Sequence, residues 1–372
     1  MGRRVADSEV LSRRRHRREA QSSIMEKRRA ILCGYYGMGN GGDEALLACL
    51  VDALPASIEA IALSGDPERT QKRHHIAAIP RKSTPAVWQA LRRADIFIWG
   101  GGSLMQDATS ALNPLYYGGL MGVAQQLGLT TIAWGQGIGP LQRSLTRWVA
   151  RECFSGCDLV TVRDRHSAAL LQQWDVPFTL APDPVWNLDT YPPQGLWDIP
   201  APRVAVTLRP HPQLTPSRLD CLTRALADFQ TATQTCLLLI PFQRDRDLKL
   251  AETLRDRLPG ETHIWHSDDP RELKGVFHSV EFAIGMRLHG LIAAAAEGCR
   301  CWAISYDPKV SQLAAEFDLP VWELSELPDD PNTISRAWIE TYANGDPLGN
   351  TRIRATIDRA GLHRDRLHDL LG

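Results

Sequence analysis

Residues 30–47, AILCGYYGMGNGGDEALL, pass from an apolar run through a glycine-rich loop into a helical pattern. The run at 30–33 has the length and composition of a buried strand. The loop carries five glycines between positions 34 and 42, so its backbone can approach a ligand closely. Apolar side chains at 46, 47, 50, 51 and 54 form one stripe, which indicates a helix. The stretch therefore predicts a strand, a tight loop and a helix whose first N–H groups favour an anion.

The same alternation of short apolar runs and helical patterns continues outward from this stretch. Strands that alternate with helices pair in parallel, so the chain is predicted to be α/β. A stretch with six prolines at 182–202 separates two groups of runs. The predicted strands are 30–33, 95–99, 131–134 and 159–162 before it, and 203–208, 236–240, 262–265, 282–285 and 301–305 after it.

Two domains are expected, because 372 residues exceed what one hydrophobic core usually supports. We predict two Rossmann-like domains whose parallel sheets face a central cleft, an architecture of the GT-B type. The N-terminal domain is expected at 29–185, the C-terminal domain at 186–345 and a C-terminal helix at 346–372. The proline-rich stretch would be the linker between the domains.

Residues 1–28 differ from the rest of the chain, because arginines are frequent and large apolar side chains are almost absent. This composition predicts a disordered basic N-terminal extension. Two interpretations stay open for it. Either the natural start is Met25, or the extension is a basic arm that contacts anionic lipid.

Overall composition excludes several classes of protein. Lys and Arg number 42 against 43 Asp and Glu, a formal net charge of −1, so no nucleic-acid partner is expected. Eight scattered cysteines without a CxxC pair indicate a reduced, cytoplasmic protein that lacks a zinc ribbon. The histidines lack companions at metal-ligand spacing, so we predict no bound metal. No apolar run approaches the length of a membrane-spanning helix.

Cationic side chains stand within four residues of the ends of three predicted strands: Arg163, Arg287 and Lys309. Ligands of parallel sheets bind beyond the carboxyl ends of the strands, so these positions are candidate anion sites. Arg287 and His289 share one strand-to-helix turn and can face the same ligand. For Arg163, an ion pair with Asp164 or a helix cap is the structural alternative, and for Lys309 it is a surface position in a first helical turn.

Three glycine-rich loops are expected on the same rim and suggest an acceptor or ligand surface. Within the first loop the spacing G-x-G-x-x-G occurs, but no acidic residue closes a second strand about 20 residues on, so the match to a dinucleotide site is weak. Asp43 could act in catalysis or cap the helix. The candidate positions of the three loops are Gly37, Asn40, Ser103, Asp107 and Gln136.

Taken together, five motifs resemble the polysaccharide pyruvyl transferase family, most closely its CsaB-type members. They are GYYG with GDEA at 34–37 and 42–45, GGGS at 100–103 followed by Asp107, GQGIGP at 135–140, VRD at 162–164 and RLHG at 287–290. The resemblance runs from about residue 30 to about residue 319.

The resemblance implies a GT-B-like fold, phosphoenolpyruvate as co-substrate without a further cofactor, and a sugar or lipid-linked glycan as acceptor. It implies an N-terminal domain on the acceptor side and a C-terminal domain on the phosphoenolpyruvate side. Pyruvate would be transferred as a ketal with release of phosphate. Transient contact with the inner membrane face would follow from a lipid-linked acceptor. Carried onto this sequence, the family's donor-site candidates are Asp43, Arg163, Arg287, His289 and Lys309.

The charge of the donor supports this assignment. Phosphoenolpyruvate carries close to three negative charges, so its site needs several cations, and Arg163, Arg287 and Lys309 come from both domains. His289 is the candidate acid and Asp43 the candidate base. Two alternatives stay open: a glycosyltransferase of the same fold that uses a nucleotide sugar, and a non-catalytic protein that binds an anion or glycan. The oligomeric state is left open by the sequence.

Overall fold

The first of two parallel sheets contains seven strands, in the order β3-β2-β1-β4-β5-β6-β7. The structure is a computed structural model and describes residues 27–108 and 110–372. Strands β1 to β7 span Arg28–Cys33, Ile58–Ser64, Ala77–Pro80, Ile96–Gly102, Thr130–Gln136, Leu159–Val162 and Thr179–Leu180. Helices α1 to α6 span Gly41–Ala53, Pro67–His74, Thr84–Leu91, Leu112–Gln126, Ser144–Ser155 and Arg165–Gln173.

The second sheet contains six parallel strands, in the order β10-β9-β8-β11-β12-β13. Strands β8 to β13 span Arg203–Thr207, Cys236–Leu239, Thr262–Ile264, Phe282–Gly285, Arg300–Ser305 and Val321–Glu323. Helices α7 to α12 span Pro216–Thr233, Arg244–Arg255, Pro270–Gly275, Leu288–Ala296, Pro308–Phe317 and Pro331–Asn344. In both sheets, helices connect the parallel strands. The strand order changes direction between β1 and β4 in the first sheet and between β8 and β11 in the second, and ligands of such sheets bind at this point.

Central strands are buried on both faces, which explains their continuous apolar sequence. Every residue of β4 and of β8 is buried. In the first lobe, Trp99 of β4 packs edge-on against Phe154 of α5, with ring centroids 5.4 Å apart. The two predicted parallel sheets, and all nine predicted strands, are confirmed.

Four strands were not predicted: β2, β3, β7 and β13. β3, β7 and β13 have only four, two and three residues, and all three lie at sheet edges. Edge strands bury one side only, so they lack the apolar run that identifies a central strand. In β2 the burial is uneven: Glu59 is exposed, and the only continuous buried run of the strand is its last three residues.

The connection between the sheets is packed against both lobes, and on the first-lobe side Cys49 Sγ of α1 donates to Pro184 O at 3.4 Å. Trp186 is 1% exposed, and its ring lies 4.8 Å from that of Phe317. Lys274 Nζ donates to the carbonyls of Trp186 and Leu188 at 3.1 and 2.7 Å. The proline-rich stretch is therefore an ordered part of the interface between the lobes.

The C-terminal segment, predicted as one helix at 346–372, contains two helices, α13 (Asn350–Ala360) and α14 (Leu362–Leu371). They are separated at Gly361, because glycine is a poor helix former. α14 returns to the first lobe and contacts α1 and β6. Of the predicted basic extension, residues 1–26 lie outside the described residues, and Arg28 already belongs to β1.

Candidate active site

A cleft of about 610 Å³ lies between the carboxyl ends of the two sheets. Its lining includes side chains from both lobes, and cations outnumber carboxylates among them. The charged and histidine residues are Asp43, Arg81 and Arg163 from the first lobe, and Arg209, His211, Arg246, Arg287, His289, Asp307 and Lys309 from the second. The five donor-site candidates of the sequence thus meet in one cavity.

Arg163, Asp183 and His289 form a cluster where the two lobes meet. Arg163 Nη1 donates to Asp183 Oδ2 at 2.6 Å and lies 3.2 Å from His289 Nε2, which is itself 3.5 Å from Asp183 Oδ2. Burial alone would raise the pKa of Asp183, but the charges of Arg163 and His289 hold it well below its ordinary value. A guanidinium only donates, so its contact with His289 is a hydrogen bond when Nε2 carries no proton.

Arg287 is fixed by a second buried carboxylate. Its Nε and Nη2 donate to Asp247 Oδ2 at 3.1 and 2.6 Å, and Nη2 also contacts Oδ1. Asp247 belongs to α8, and its carboxylate also accepts from the backbone N–H of Gln243 at 2.9 Å. Burial lowers the pKa of Arg287, while Asp247 opposes that effect. The guanidinium therefore reaches the cleft with one edge only.

Asp43 lies in the first turn of α1 and faces the cleft. Asn40 caps this helix instead, since its Oδ1 accepts from Gly42 N at 3.1 Å. Among the described residues no hydrogen bond to the Asp43 carboxylate is found. Removal from water raises the pKa of Asp43 to about 6, although His289, Arg163 and Lys309 act in the opposite direction. A carboxyl group with this pKa can accept or release a proton near neutrality.

His289 is pressed against the start of α1. A methyl group added at Gly42 would collide with the His289 ring, so the glycine permits the approach. The backbone bridges the lobes beside it, because Gly41 N donates to Phe242 O at 2.7 Å. Asp43 and His289 consequently come from different lobes but line the same cleft.

Comparison with known families decides the identity of the chain. A family model described as polysaccharide pyruvyl transferase matches residues 40–308, which is most of the sequence. The chain belongs to the polysaccharide pyruvyl transferase family. The matched range contains every donor-site candidate except Lys309, which follows its last residue directly. A search of the curated proteins found no significant match.

Solved structures similar to this family member share its fold at low sequence identity. The Anabaena protein Alr3699/HepE, solved in complex with UDP, has a TM-score of 0.56 and 13% identity, covering 92% of this chain and 99% of its own. A UDP-GlcNAc 2-epimerase of Methanocaldococcus jannaschii has a TM-score of 0.58 and 9% identity, with coverage of 92% and 99%. Sucrose-phosphate synthase of Thermosynechococcus elongatus has a TM-score of 0.55 and 14% identity, with coverage of 92% and 99%. The predicted GT-B-like fold is thereby confirmed.

Two of the five loop positions predicted for the acceptor side line the cleft in this pyruvyl transferase family member. Asn40 does so at the start of α1, and Ser103 does so while its Oγ accepts from Arg163 Nη2 at 3.2 Å. Gly37 does not line it. Its positive φ of 66° forms a turn, and its N–H donates to Glu44 Oε1 at 2.8 Å.

Asp107 and Gln136 were predicted to face the acceptor, and the structure corrects both. Asp107 is 2% exposed, and its carboxylate accepts from Gln142 N, Arg143 N and Thr146 Oγ1 at 2.8, 2.9 and 2.6 Å. It therefore anchors the start of α5. Gln136 is fully buried, and its Nε2 donates to the carbonyl of Trp99 in the neighbouring β4 at 3.2 Å and to that of Trp134 in its own strand at 3.1 Å. Gln136 is the last residue of β5, where strand alternation turns its side chain inward, whereas Asp107 lies in the loop after β4 and is turned toward the start of α5. Glycine content alone reveals neither orientation.

Sequence reasoning missed the aspartates that hold the arginines, and it missed three further arginines of the cleft, Arg81, Arg209 and Arg246. Asp183 and Asp247 are 20 and 40 residues away from their partners, so spacing does not reveal the pairs. Arg81 follows the unpredicted β3, and Arg209 follows β8 by two residues. For Arg209 the signal was available, since it stands just beyond a predicted strand.

The described part of this family member contains neither a metal-binding cluster nor a membrane-spanning helix. No group of three or more His, Cys, Asp or Glu side chains is arranged to hold a metal ion within 27–108 and 110–372. In the same ranges, no helix combines the length and the apolar composition needed to cross a bilayer.

Proposed function

We propose that this family member transfers pyruvate from phosphoenolpyruvate to two hydroxyls of a sugar, forming a cyclic ketal and releasing phosphate. The observation that carries the proposal is Asp43: a carboxyl group with a pKa near 6 and no hydrogen bond within the described chain, surrounded by cations of both lobes. Cations suit the donor's carboxylate and phosphate, and a titratable carboxyl group suits a reaction that moves protons.

The proposed reaction begins with proton transfer from His289 to the methylene carbon, which leaves an oxocarbenium-like centre at the carbon that bears phosphate. One acceptor hydroxyl attacks this carbon and gives its proton to Asp43. The C–O bond to phosphate then breaks, and the second hydroxyl closes the ketal. Two hydroxyl protons are released in all: one replaces the proton lost by His289, and the other leaves with phosphate.

The surroundings of His289 suit this role. With a proton on Nε2 the ring points it toward Asp183, 3.5 Å away, and without it Nε2 accepts from Arg163. Both protonation states thus have a partner in place. Arg163 and Arg287, fixed by their aspartates, would orient the donor with little loss of side-chain freedom.

The acceptor is proposed to lie on the first-lobe side, near Asn40 and Ser103, and to be a sugar of a cell-wall or extracellular polysaccharide or of its lipid-linked precursor. No cofactor is proposed beyond phosphoenolpyruvate, because side-chain cations supply the charge that the donor requires. Reaction in the cytoplasm, with contact at the inner membrane face for a lipid-linked acceptor, completes the proposal.

The decisive experiment incubates the purified full chain with phosphoenolpyruvate and a panel of nucleotide-linked and lipid-linked sugars. We expect inorganic phosphate and a pyruvylated product by mass spectrometry, with no loss of rate in EDTA. Asp43→Asn should bind donor normally and lose turnover by about 100-fold or more, as expected when a general base is removed. Full turnover by that variant would remove Asp43 from the mechanism.

The same assay tests the second candidate function. Solved structures that share this fold include one in complex with UDP, which keeps a nucleotide-sugar transferase under consideration. Release of UDP or another nucleotide from a sugar donor, without consumption of phosphoenolpyruvate, would favour that alternative. Binding of phosphoenolpyruvate or sugar without consumption of either would favour a non-catalytic protein.

A further inference from the structure

The cations that line the cleft differ in what compensates their charge. Arg163 and Arg287 each form an ion pair with a buried aspartate. Lys309 Nζ lies 3.3 Å from a carboxylate oxygen of Asp307. These three side chains are the ones that the sequence motifs identify, yet each carries its own counter-ion. The uncompensated positive charge of the second lobe must come from elsewhere.

Arg209 is held by an aromatic side chain instead of a carboxylate. Its Nη1 donates to Tyr306 Oη at 2.8 Å, and its guanidinium carbon lies 4.9 Å from the centroid of the same ring. The ring of His211 packs against Tyr306 as well, with centroids 4.8 Å apart. Over the described ranges of the chain, Arg209 forms no ion pair with a carboxylate. Tyrosine fixes the direction of the guanidinium without neutralising it.

Sheet register brings Arg209 beside Arg287. Thr207 at the end of β8 pairs with Gly285 at the end of β11, so both arginines stand two residues beyond the same level of the sheet. Their charges interact: burial lowers the pKa of Arg287, Asp247 opposes this effect, and the positive charge of Arg209 lowers the pKa further. Asp247 compensates the charge of Arg287 but not that of Arg209, so the guanidinium of Arg209 favours binding of an anion at that point.

Loops from three neighbouring strands supply the groups around this point. β8 brings Arg209 and His211, β11 brings Arg287, and β12 brings Tyr306 and Lys309. Donors that converge from three directions suit the oxygens of a tetrahedral phosphate. A planar carboxylate is satisfied by one guanidinium fork. The arrangement therefore distinguishes the two ends of the donor.

We propose that Arg209, oriented by Tyr306, binds the phosphoryl group of the donor and is a specificity-determining residue of this site. This inference rests on the proposed phosphoenolpyruvate donor. It assigns the donor's phosphate to the second lobe, at the ends of β8, β11 and β12. The carboxylate end then lies toward Arg163 of the first lobe.

The test measures binding of inorganic phosphate and of pyruvate to the full chain by calorimetry, together with KM for phosphoenolpyruvate. Arg209→Gln should weaken phosphate binding and raise KM by about 10- to 100-fold, the effect of losing charged hydrogen bonds. Tyr306→Phe keeps the ring and loses the hydroxyl, so a loss of about 3- to 10-fold is expected. Pyruvate binding should be unchanged in both variants.

Arg244→Gln is the matched control. It removes the same charge from an exposed position on α8 that does not line the cleft, so both ligands should bind as before. If this variant weakened phosphate binding as much as Arg209→Gln does, the effect would come from the overall charge of the protein, and the inference would be overturned. Weakening of pyruvate instead of phosphate by Arg209→Gln would overturn it too, as would the absence of phosphate binding to the unchanged protein.

Failure of the proposed function gives a different result. If phosphoenolpyruvate is not consumed with any acceptor while phosphate binding still depends on Arg209, the reaction is wrong and the phosphate site stands. If phosphoenolpyruvate is consumed but its KM does not change in Arg209→Gln, the reaction stands and the assignment of Arg209 is wrong.

Discussion

Asp183 is the residue on which the candidate reaction centre depends most. It lies on the connection between the sheets, yet its carboxylate touches Arg163 of the first lobe and His289 of the second. It also accepts from Val185 N at 3.0 Å, so its own position is fixed. The two carboxylate oxygens of Asp183 thereby contact the first lobe, the second lobe and the connection between them. A buried guanidinium without this partner would carry an uncompensated charge.

Asp183→Ala is expected to lower the free energy of unfolding by about 3–5 kcal/mol, because it leaves the buried Arg163 unpaired. Denaturant titration measures this, and turnover should fall as the Arg163 and His289 side chains lose their anchor. Asp189→Ala removes an exposed carboxylate from the same connection and should change stability by less than about 0.5 kcal/mol. Equal effects of the two substitutions would contradict the role given to Asp183.

At the scale of elements, the start of α1 is the point where the lobes come closest to the chemistry. Gly41 and Gly42 let the helix N-terminus meet Phe242 and His289 across the cleft. Asn40 also forms an isolated antiparallel bridge with Gln243. The glycines are therefore required by the approach of the second lobe, whereas Gly37 is required by a turn.

Gly42→Ala is expected to lower turnover by about 10-fold or more, because its methyl group would displace the His289 ring from the reacting atoms. The melting temperature should change little, since alanine favours the helix by about 1 kcal/mol and offsets part of the strain. Gly119→Ala in α4 is the control, because nothing lies within 4 Å of its added methyl group. It should keep full turnover, and full turnover by Gly42→Ala as well would contradict the proposed contact.

The sequence predicts central elements far better than edges and pairings. β4 and β8 are buried on both faces, so their composition alone identifies them. The short edge strands β3 and β13 carry no such signal. Within the site, strand-end cations such as Arg163 could be located from their position, whereas the partner of Arg163 could not, because ion pairs between distant segments depend on the packed fold. The glycine-rich loops predicted where the rim of the cleft lies but not which side chains face it. Asp107, for example, lies in such a loop but is buried.

At the scale of the whole molecule, α14 fastens the end of the chain to the first lobe through His363. Its Nε2 donates to Pro182 O at 2.9 Å, and its Nδ1 accepts from Thr161 Oγ1 at 2.8 Å. Trp134 Nε1 donates to the His363 carbonyl at 3.0 Å. A proton on Nδ1 would reverse the direction of the Thr161 hydrogen bond, because Nδ1 would then donate and the hydroxyl would accept. Burial lowers the pKa of His363 to about 4, against weaker opposing effects of Pro182 O and Asp183.

His363 and Asp43 give the stability of the molecule opposite pH dependence. A histidine whose pKa is lowered on folding stabilises fully above its ordinary pKa, and this stabilisation is lost as pH falls toward 4. A carboxyl group whose pKa is raised destabilises once it ionises, so its contribution worsens as pH rises from about 4 to about 6. Each effect is on the order of 3 kcal/mol at most, so the two largely cancel in the unchanged chain.

Single substitutions should expose the two opposing effects. In Asp43→Asn the histidine effect is no longer opposed by Asp43, so the free energy of unfolding should fall by about 2–3 kcal/mol as pH is lowered from about 6.5 to about 4. In His363→Gln, which is less stable overall because hydrogen bonds are lost, it should instead rise as pH is lowered from about 6 to about 4. Denaturant titrations across this range measure both slopes, and His278→Gln, at an exposed position, should leave the profile unchanged. Parallel profiles for all three variants would show that neither Asp43 nor His363 titrates as its surroundings require, and that the last helix does not hold its histidine neutral against the first lobe.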